Sequence, residues 1–476
     1  MGKPVRVLAL DHLSVQDREA LIRVSGNRFQ WRVIPYWRLR NGANRVFPPK
    51  VQEGLAPYAR PELEPERTRF TDWLRRELGR LYVEWPFDIV VLPSDALYYV
   101  RPLPEIAHDV GASVIVVQKE TTITDETIRW HAPDVEAHAP FISDWMTVCS
   151  ERHKRFWVQA GANASLIEVT GQPRFDIYAA PTDVGWSDVG VAAAPRTVLF
   201  LSYERDAYLL HEQDRREGWE RLRSETEAAL SKAAAHGWRV LVKPHPLQDW
   251  DEERRRLEAS APGMRIELVL ADTDTRRLIL LADAVVGFQT TALCEAMVAG
   301  KPIAYTAWTP LYERVAAQLI PFENRPDLLD VIRGPDELEA WLREPPSPSA
   351  EMLARRGPFV EEMLGPIDGQ ASERTLAAIE RVAGAWNEAR RMSARRRSLQ
   401  RRVIPTAAGA AVVAGARLGT WSAIDRVAAV SAALLPSSGR GRARAGACFR
   451  SSAARERLRV ALAALGHVGV ARAADD

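Results

Sequence analysis

Four short motifs in this 476-residue chain pair charged or reactive side chains with the turn chemistry that would present them. In Gly171-Gln172-Pro173-Arg174-Phe175-Asp176 a glycine allows a tight turn and a proline fixes the next step. That turn is expected to set Gln172, Arg174 and Asp176 at the edge of a cleft. Arg174 would pair bidentately with a phosphate or carboxylate there, or act as an interdomain strut against an acid such as Asp176. In Lys243-Pro244-His245-Pro246 two prolines stiffen the backbone around one histidine. An imidazole held in one orientation donates a hydrogen bond to a phosphate oxygen or titrates near neutrality, unless it is an ordinary loop histidine. The third motif, Gly287-Phe288-Gln289-Thr290-Thr291, opens a helix at Ala292. Two hydroxyls, free amide N–H groups and the helix dipole would converge there as a phosphate seat, with plain N-capping by a threonine as the alternative. The fourth runs from Glu295 to Gly300-Lys301-Pro302. Glu295, one helical turn beyond Thr291, could accept both hydroxyls of a ribose, or be a solvent-exposed helix glutamate.

These motifs sit where strands end. Val5–Leu10, Arg32–Tyr36, Asp88–Leu92, Ser113–Gln118, Met146–Cys149 and Leu166–Thr170 read as strands. Helical patterns lie between them, at Glu66–Glu84, Leu103–Val110 and Glu151–Ala160. Residues 179–196, rich in Pro, Gly, Ala, Asp and Ser, read as a linker. The alternation restarts with strands Thr197–Ser202, Arg239–Lys243, Arg265–Leu270, Ala284–Gly287 and Pro302–Thr306. Continuous apolar runs alternating with helices predict parallel sheets covered on both faces. The expected organisation is an α/β domain over 1–178, a second over 197–370, a long closing helix over 371–402, and a tail over 403–476. Two such halves imply a cleft, with ligands outside the carboxyl ends of the strands.

The formal net charge of +2 conceals a division. Residues 386–476 hold 17 arginines, no lysine and five acids, a net of +12, which leaves −10 for residues 1–385. The three cysteines, Cys149, Cys294 and Cys448, lack metal-type spacing and suit a reducing cytosol. No run of ~20 apolar residues predicts a membrane span, and the short apolar stretch Val5–Leu10 does not suit a signal peptide. Seven arginines between Arg390 and Arg402 precede Ala-rich segments. This predicts a basic helical tail lying on an anionic membrane surface through residues 390–476. With no aromatic stacking platform beside the basic run, nucleic acid is not an expected partner.

In combination, the GQPRFD, KPHP, Thr-Thr and EAMVAGKP motifs, followed by Asp368-Gly369-Gln370-Ala371-Ser372-Glu373-Arg374, resemble bacterial surface-polysaccharide transferases of the GT-B type. The resemblance is to CDP-glycerol glycerophosphotransferases of teichoic-acid assembly and to capsule-type transferases using CMP-activated acidic sugars. It is strongest over residues 165–385. It implies two Rossmann-like domains and a nucleotide-activated donor in the cleft, CDP- or CMP-linked rather than UDP-linked. It implies that His245 and the Thr290–Thr291 pair hold the donor phosphate, with Lys243 and Arg174 adding charge and Glu295 holding the ribose. It implies no metal and no further cofactor, since positive groups stabilise the leaving group. A catalytic base is expected on the first half: Glu120 first, then His12, then Asp11.

The expected activity is therefore transfer of a glycosyl or polyol-phosphate group to a cell-surface glycan or lipid-linked precursor, by a cytoplasmic enzyme at the inner face of the membrane. Two alternatives stand beside it. One is a non-hydrolysing UDP-GlcNAc 2-epimerase, although that family usually carries a Gly-Gly turn and paired glutamates where this chain has Gln289-Thr290-Thr291 and Glu295. The other is a non-catalytic scaffold that docks on membrane through its tail.

Overall fold

The Val-, Ile- and Leu-rich segments fold as two parallel sheets in the computed structural model. It describes residues 3–11, 15–53, 55–119, 121, 123–179, 184–203, 213–245, 248–260, 266–270, 272–308 and 319–388. The first sheet contains β1 (Val5–Asp11), β2 (Phe29–Pro35), β3 (Ile89–Leu92), β4 (Ser113–Val117), β5 (Trp145–Val148) and β6 (Ile167–Val169). Its order is β2-β1-β3-β4-β5-β6. The second contains β7 (Thr197–Leu201), β8 (Arg239–Lys243), β9 (Ile266–Leu268), β10 (Ala284–Gly287), β11 (Ile303–Thr306) and β12 (Asp330–Ile332), in the order β12-β11-β10-β7-β8-β9. Every neighbouring pair is parallel. This is the two-domain α/β architecture of the GT-B type. The strand β12 was not anticipated by the sequence pattern. The tail, including the expected membrane contact through 390–476 and the expected end of the closing helix, lies outside the described residues.

Successive side chains of a strand point to opposite faces, and the first sheet shows this directly. Leu8, Leu10, Val90, Leu92, Val114 and Val116 pack on one face with Phe70, Leu74 and Leu78 of the helix Glu64–Glu84. Val7, Ala9, Ile89, Val91, Ile115 and Val117 pack on the other. The cover of that second face comes from Leu21 and, far along the chain, from Leu376, Ile379 and Val382 of the helix over 371–388. The chain therefore leaves the first half, builds the second, and returns to complete the core of the first. Both faces of the second sheet belong to one continuous core.

The two crossings between the halves lie against each other. Gly171 has φ +77°, and a Cβ there would stand 2.9 Å from the Pro366 carbonyl oxygen. Gly365 has φ +83°, and a Cβ there would overlap the Cys149 carbonyl oxygen. Both positions combine a left-handed backbone with a close approach, so both require glycine. Asp176 fastens the crossings: its two carboxylate oxygens accept the Ala371 and Ser372 N–H groups at 3.0 and 2.8 Å, capping the returning helix. Arg374 adds bonds to the Thr170 carbonyl and to Asp368. Among the described residues no helix is long and apolar enough to cross a membrane.

Candidate functional site

In an open parallel sheet, neighbouring strands whose connections run to opposite sides leave a crevice at their carboxyl ends. In the second sheet that point lies between β7 and β10. Leu201 ends β7 and Ser202 follows it, Thr290, Thr291 and Ala292 follow β10, and all five line a cleft of about 490 Å³. Lys243, Pro244 and His245, at the end of β8, line it beside them. The first half contributes Val15, Gln16 and Glu19 from the helix Val15–Ser25, and Lys119 from just beyond β4. Arg174, Asp272, Asp274, Arg276 and Glu295 add further charged side chains to its wall.

Basic and acidic side chains share the wall of this space: Lys119, Arg174, Lys243 and Arg276 face it together with Glu19, Asp272, Asp274 and Glu295. Lys243 is buried and its Nζ donates to the Pro244 carbonyl at 3.2 Å. Burial lowers its pKa to about 8, against the opposing pull of Asp272 and Asp274. His245 is pushed down to about 4 by burial and then by Lys119 and Lys243, so its imidazole is neutral at pH 7. Its backbone N–H is held by Gln248 Oε1 at 2.6 Å. Arg276 grips Asp274 with Nε and Nη2 at 3.0 and 2.7 Å, and gives Nη1 to the Arg174 carbonyl at 2.9 Å. Arg174 N–H in turn donates to Asp17 Oδ1 of the first half at 3.0 Å. Glu295 is only 4% exposed, with Oε2 accepting the Tyr178 hydroxyl at 2.8 Å and Oε1 lying 4.0 Å from Arg174 Nη2.

Gln289 forms the turn into the threonine pair with φ +40°, which is uncommon for a residue with a side chain. Its amide explains how this conformation is held. Nε2 donates to the Tyr305 hydroxyl at 2.7 Å and the Ile320 carbonyl at 2.9 Å, and Oε1 accepts the Ile320 N–H at 2.8 Å. A fully bonded buried amide thus offsets local backbone strain beside the cleft.

The structure brings Arg174, Lys243, His245, Thr290, Thr291 and Glu295 into one cleft. It corrects several expectations. Asp176 is not on the cleft wall, because both its oxygens cap the returning helix. Gln172 is likewise off the wall and 1% exposed, packed at the crossing, and its amide has no bonding partner among the described residues. The helix start offers fewer free donors than expected. Ala292 N–H goes to Thr290 Oγ1 at 3.3 Å, while the Leu293 and Cys294 N–H groups go to the Thr290 and Thr291 carbonyls. Thr290 therefore acts as a local cap, and the first N–H groups of the helix are engaged within the turn. Asp11 forms an ion pair with Arg18 at the end of β1 and does not line the cleft. Glu120 and His12 lie outside the described residues.

Lys119, Tyr178, Asp274 and Arg276 were not singled out in the sequence. Lys119 had a signal, since it adjoins the strand-end Glu120. The others are placed by packing between the halves, for which sequence spacing carries no sign. Among the described residues no group of three or more His, Cys, Asp or Glu side chains is gathered as a metal site would be.

No family model matches the sequence, and neither does any curated protein. The fold is similar to several solved structures. A UDP-GlcNAc 2-epimerase from Neisseria meningitidis bound to UDP-GlcNAc matches with a TM-score of 0.46 and 12% identity, over 79% of this chain and 100% of that one. The Methanocaldococcus jannaschii UDP-GlcNAc 2-epimerase in complex with UDP-GlcNAc and UDP gives 0.44 and 12%, over 79% and 99%. A UDP-N-acetylglucosamine 2-epimerase from Rickettsia bellii gives 0.42 and 12%, over 81% and 98%. With TM-scores below 0.5, these likenesses carry no argument about the reaction.

Proposed function

We propose that the protein is an enzyme acting on a nucleotide-activated sugar or polyol. The observation that carries this reading is the position of Lys243, Arg174, His245 and Lys119 around a cleft at the switch point of the second sheet. A crevice at that place, with lysine and arginine side chains in its lining, suits an anionic nucleotide. In this reading Lys243 and Arg174 offset phosphate charge and neutral His245 donates a hydrogen bond. Thr290 and Thr291 add hydroxyls, and Glu295 accepts from the ribose. Fixed positive groups aimed at a departing phosphate favour cleavage of the bond to it.

Two reactions use such a cleavage. One is transfer to a glycan or lipid-linked acceptor, with a base supplied by the first half, for which Glu120 or His12 remains the proposal. The other is 2-epimerisation, and the solved structures named above are epimerases rather than CDP-glycerol or capsule transferases. The transferase reading, its preference for CDP or CMP, and the membrane-bound acceptor rest on the sequence motifs alone.

Thermal unfolding with CMP, CDP, UDP and UDP-GlcNAc tests the shared reading. A ligand at 100 times its Kd stabilises by about 2.7 kcal/mol, an easily measured shift. Stabilisation by UDP-GlcNAc with appearance of its 2-epimer establishes the second reaction. Stabilisation by CDP or CMP without epimer formation supports the first. No shift with any of the four rejects the reading.

A further inference from the structure

The helix Val15–Ser25 divides its side chains between the body and the cleft. Asp17, Ala20 and Leu21 are buried beneath it, and Arg18 is taken by Asp11. Gln16 and Glu19, three residues apart and so on one side of the helix, line the cleft. Their place is fixed from below. Asp17 Oδ1 accepts the Arg174 N–H at 3.0 Å, and Leu21 packs in the core of the first sheet. Glu19 itself is exposed on the cleft wall, with no hydrogen-bond or ion-pair partner among the described residues. Across the cleft, Asp274 Oδ1 lies 3.5 Å from Gln16 Nε2, the outer limit of a hydrogen bond. That carboxylate is already gripped by Arg276, through Nε at 3.0 Å and Nη2 at 2.7 Å, so the Gln16 amide is only weakly engaged. Asp272 and Asp274 both act on the Lys243 ammonium. The Gln16–Glu19 face therefore adjoins the place where the proposed phosphate meets Lys243.

We infer that this face receives the group carried beyond the phosphate, that the group is a neutral sugar or polyol, and that Glu19 is the residue that selects it. This rests on the proposed nucleotide reading and adds to it the chemical class of the activated group. A carboxylate accepts from hydroxyls, and an amide both donates and accepts, so the two side chains one turn apart suit adjacent hydroxyls. An acidic sugar would bring its own carboxylate against Glu19, with Asp272 and Asp274 in the same lining. Selectivity of this kind comes from repelling the wrong ligand as well as holding the right one. Lys119, the first-half cation in the lining, acts on His245 and so stands at the phosphate end rather than beside Glu19.

The test measures affinity by calorimetry for CDP, CDP-glycerol, UDP, UDP-GlcNAc, CMP and CMP-linked N-acetylneuraminic acid. The wild-type chain is expected to bind CDP-glycerol or UDP-GlcNAc at least as tightly as the parent nucleotide. It should bind the CMP-linked acid at least tenfold more weakly than CMP. Glu19→Ala should weaken the preferred neutral ligand at least fivefold and leave CDP and UDP no weaker. Glu19→Gln removes the charge and should narrow the penalty on the acidic sugar to threefold or less. Gln16→Ala should weaken the preferred neutral ligand at least threefold. A Glu19→Ala protein that binds the neutral ligands as the wild type does overturns the inference and leaves the nucleotide reading standing. So does a wild-type chain that binds the CMP-linked acid more tightly than CMP, or one that binds the bare nucleotides but neither CDP-glycerol nor UDP-GlcNAc. A wild-type chain that binds none of the six removes the nucleotide reading itself. Circular dichroism and urea unfolding of each variant establish that the body is folded.

Discussion

Lys243 should make nucleotide binding depend on pH in a calculable way. Its pKa in the unliganded cleft is about 8, lowered chiefly by burial. A bound diphosphate favours the charged ammonium and raises that pKa, so binding takes up protons and affinity falls as pH rises through 8. With a pKa of about 8, Lys243 is roughly nine-tenths protonated at pH 7 and about a quarter protonated at pH 8.5. If the complex requires the charged form, affinity drops about fourfold over that interval, and proton uptake grows from about 0.1 to about 0.8 per site. His245, with a pKa of about 4, is neutral across the whole window and adds no slope. The assay is titration calorimetry with a CDP-linked diphosphate diester, which does not titrate in this range, in two buffers of different ionisation enthalpy. Lys243→Met should bind more weakly at pH 7 and show no Lys-type slope. Lys243→Arg should keep its affinity constant between the two pH values, because a guanidinium stays charged. The reasoning is refuted if wild-type affinity is flat from pH 7 to 8.5 with no proton uptake, or if the slope survives in Lys243→Met.

Other consequences are open to simpler measurement. Asp176→Asn retains one acceptor for the returning helix and leaves one buried N–H unpaired, a cost of about 1–3 kcal/mol in urea unfolding. Gly365→Ala drives a methyl into the Cys149 carbonyl, backbone against backbone, and should cost more than about 3 kcal/mol or prevent recovery of folded protein. Gly79→Ala, in the interior of the helix Glu64–Glu84 with nothing within 4 Å of the new Cβ, should instead stabilise by about 1 kcal/mol.

Much of the architecture was legible because parallel strands buried on both faces cannot be written any other way. Val114-Ile115-Val116-Val117 and Val240-Leu241-Val242 leave no solvated face, so each reads as a central strand. β12 escaped because three residues, Asp330–Ile332, hold no pattern of their own and pair only through β11. The helix Asp125–His138 escaped because Pro133 interrupts it, although the Thr124 cap was there to be seen. The site was legible where residues follow a strand end directly, as Lys243, His245 and Thr290 do. It was misread where the chain crosses between halves. Gln172, Arg174 and Asp176 alternate along one short segment, but only Arg174 meets the cleft. Asp176 is claimed by Ala371 and Ser372, nearly two hundred positions away, and Gln172 is buried at the crossing. Glu295 was read as a ribose acceptor with an exposed helix glutamate as the alternative, and its burial beside Tyr178 and Arg174 removes the exposed alternative.

The returning helix over 371–388 also sets an order on synthesis. The apolar face formed by Val7, Ala9, Ile89, Val91, Ile115 and Val117 is finished by Leu376, Ile379 and Val382. A ribosome that has already released the entire first half has therefore not yet made the residues that close it. Until then that face is open to other nascent chains and to chaperones, while the second half, whose core draws on residues up to Leu364, completes earlier. The amino-terminal half is the first to be made and the last to be sealed.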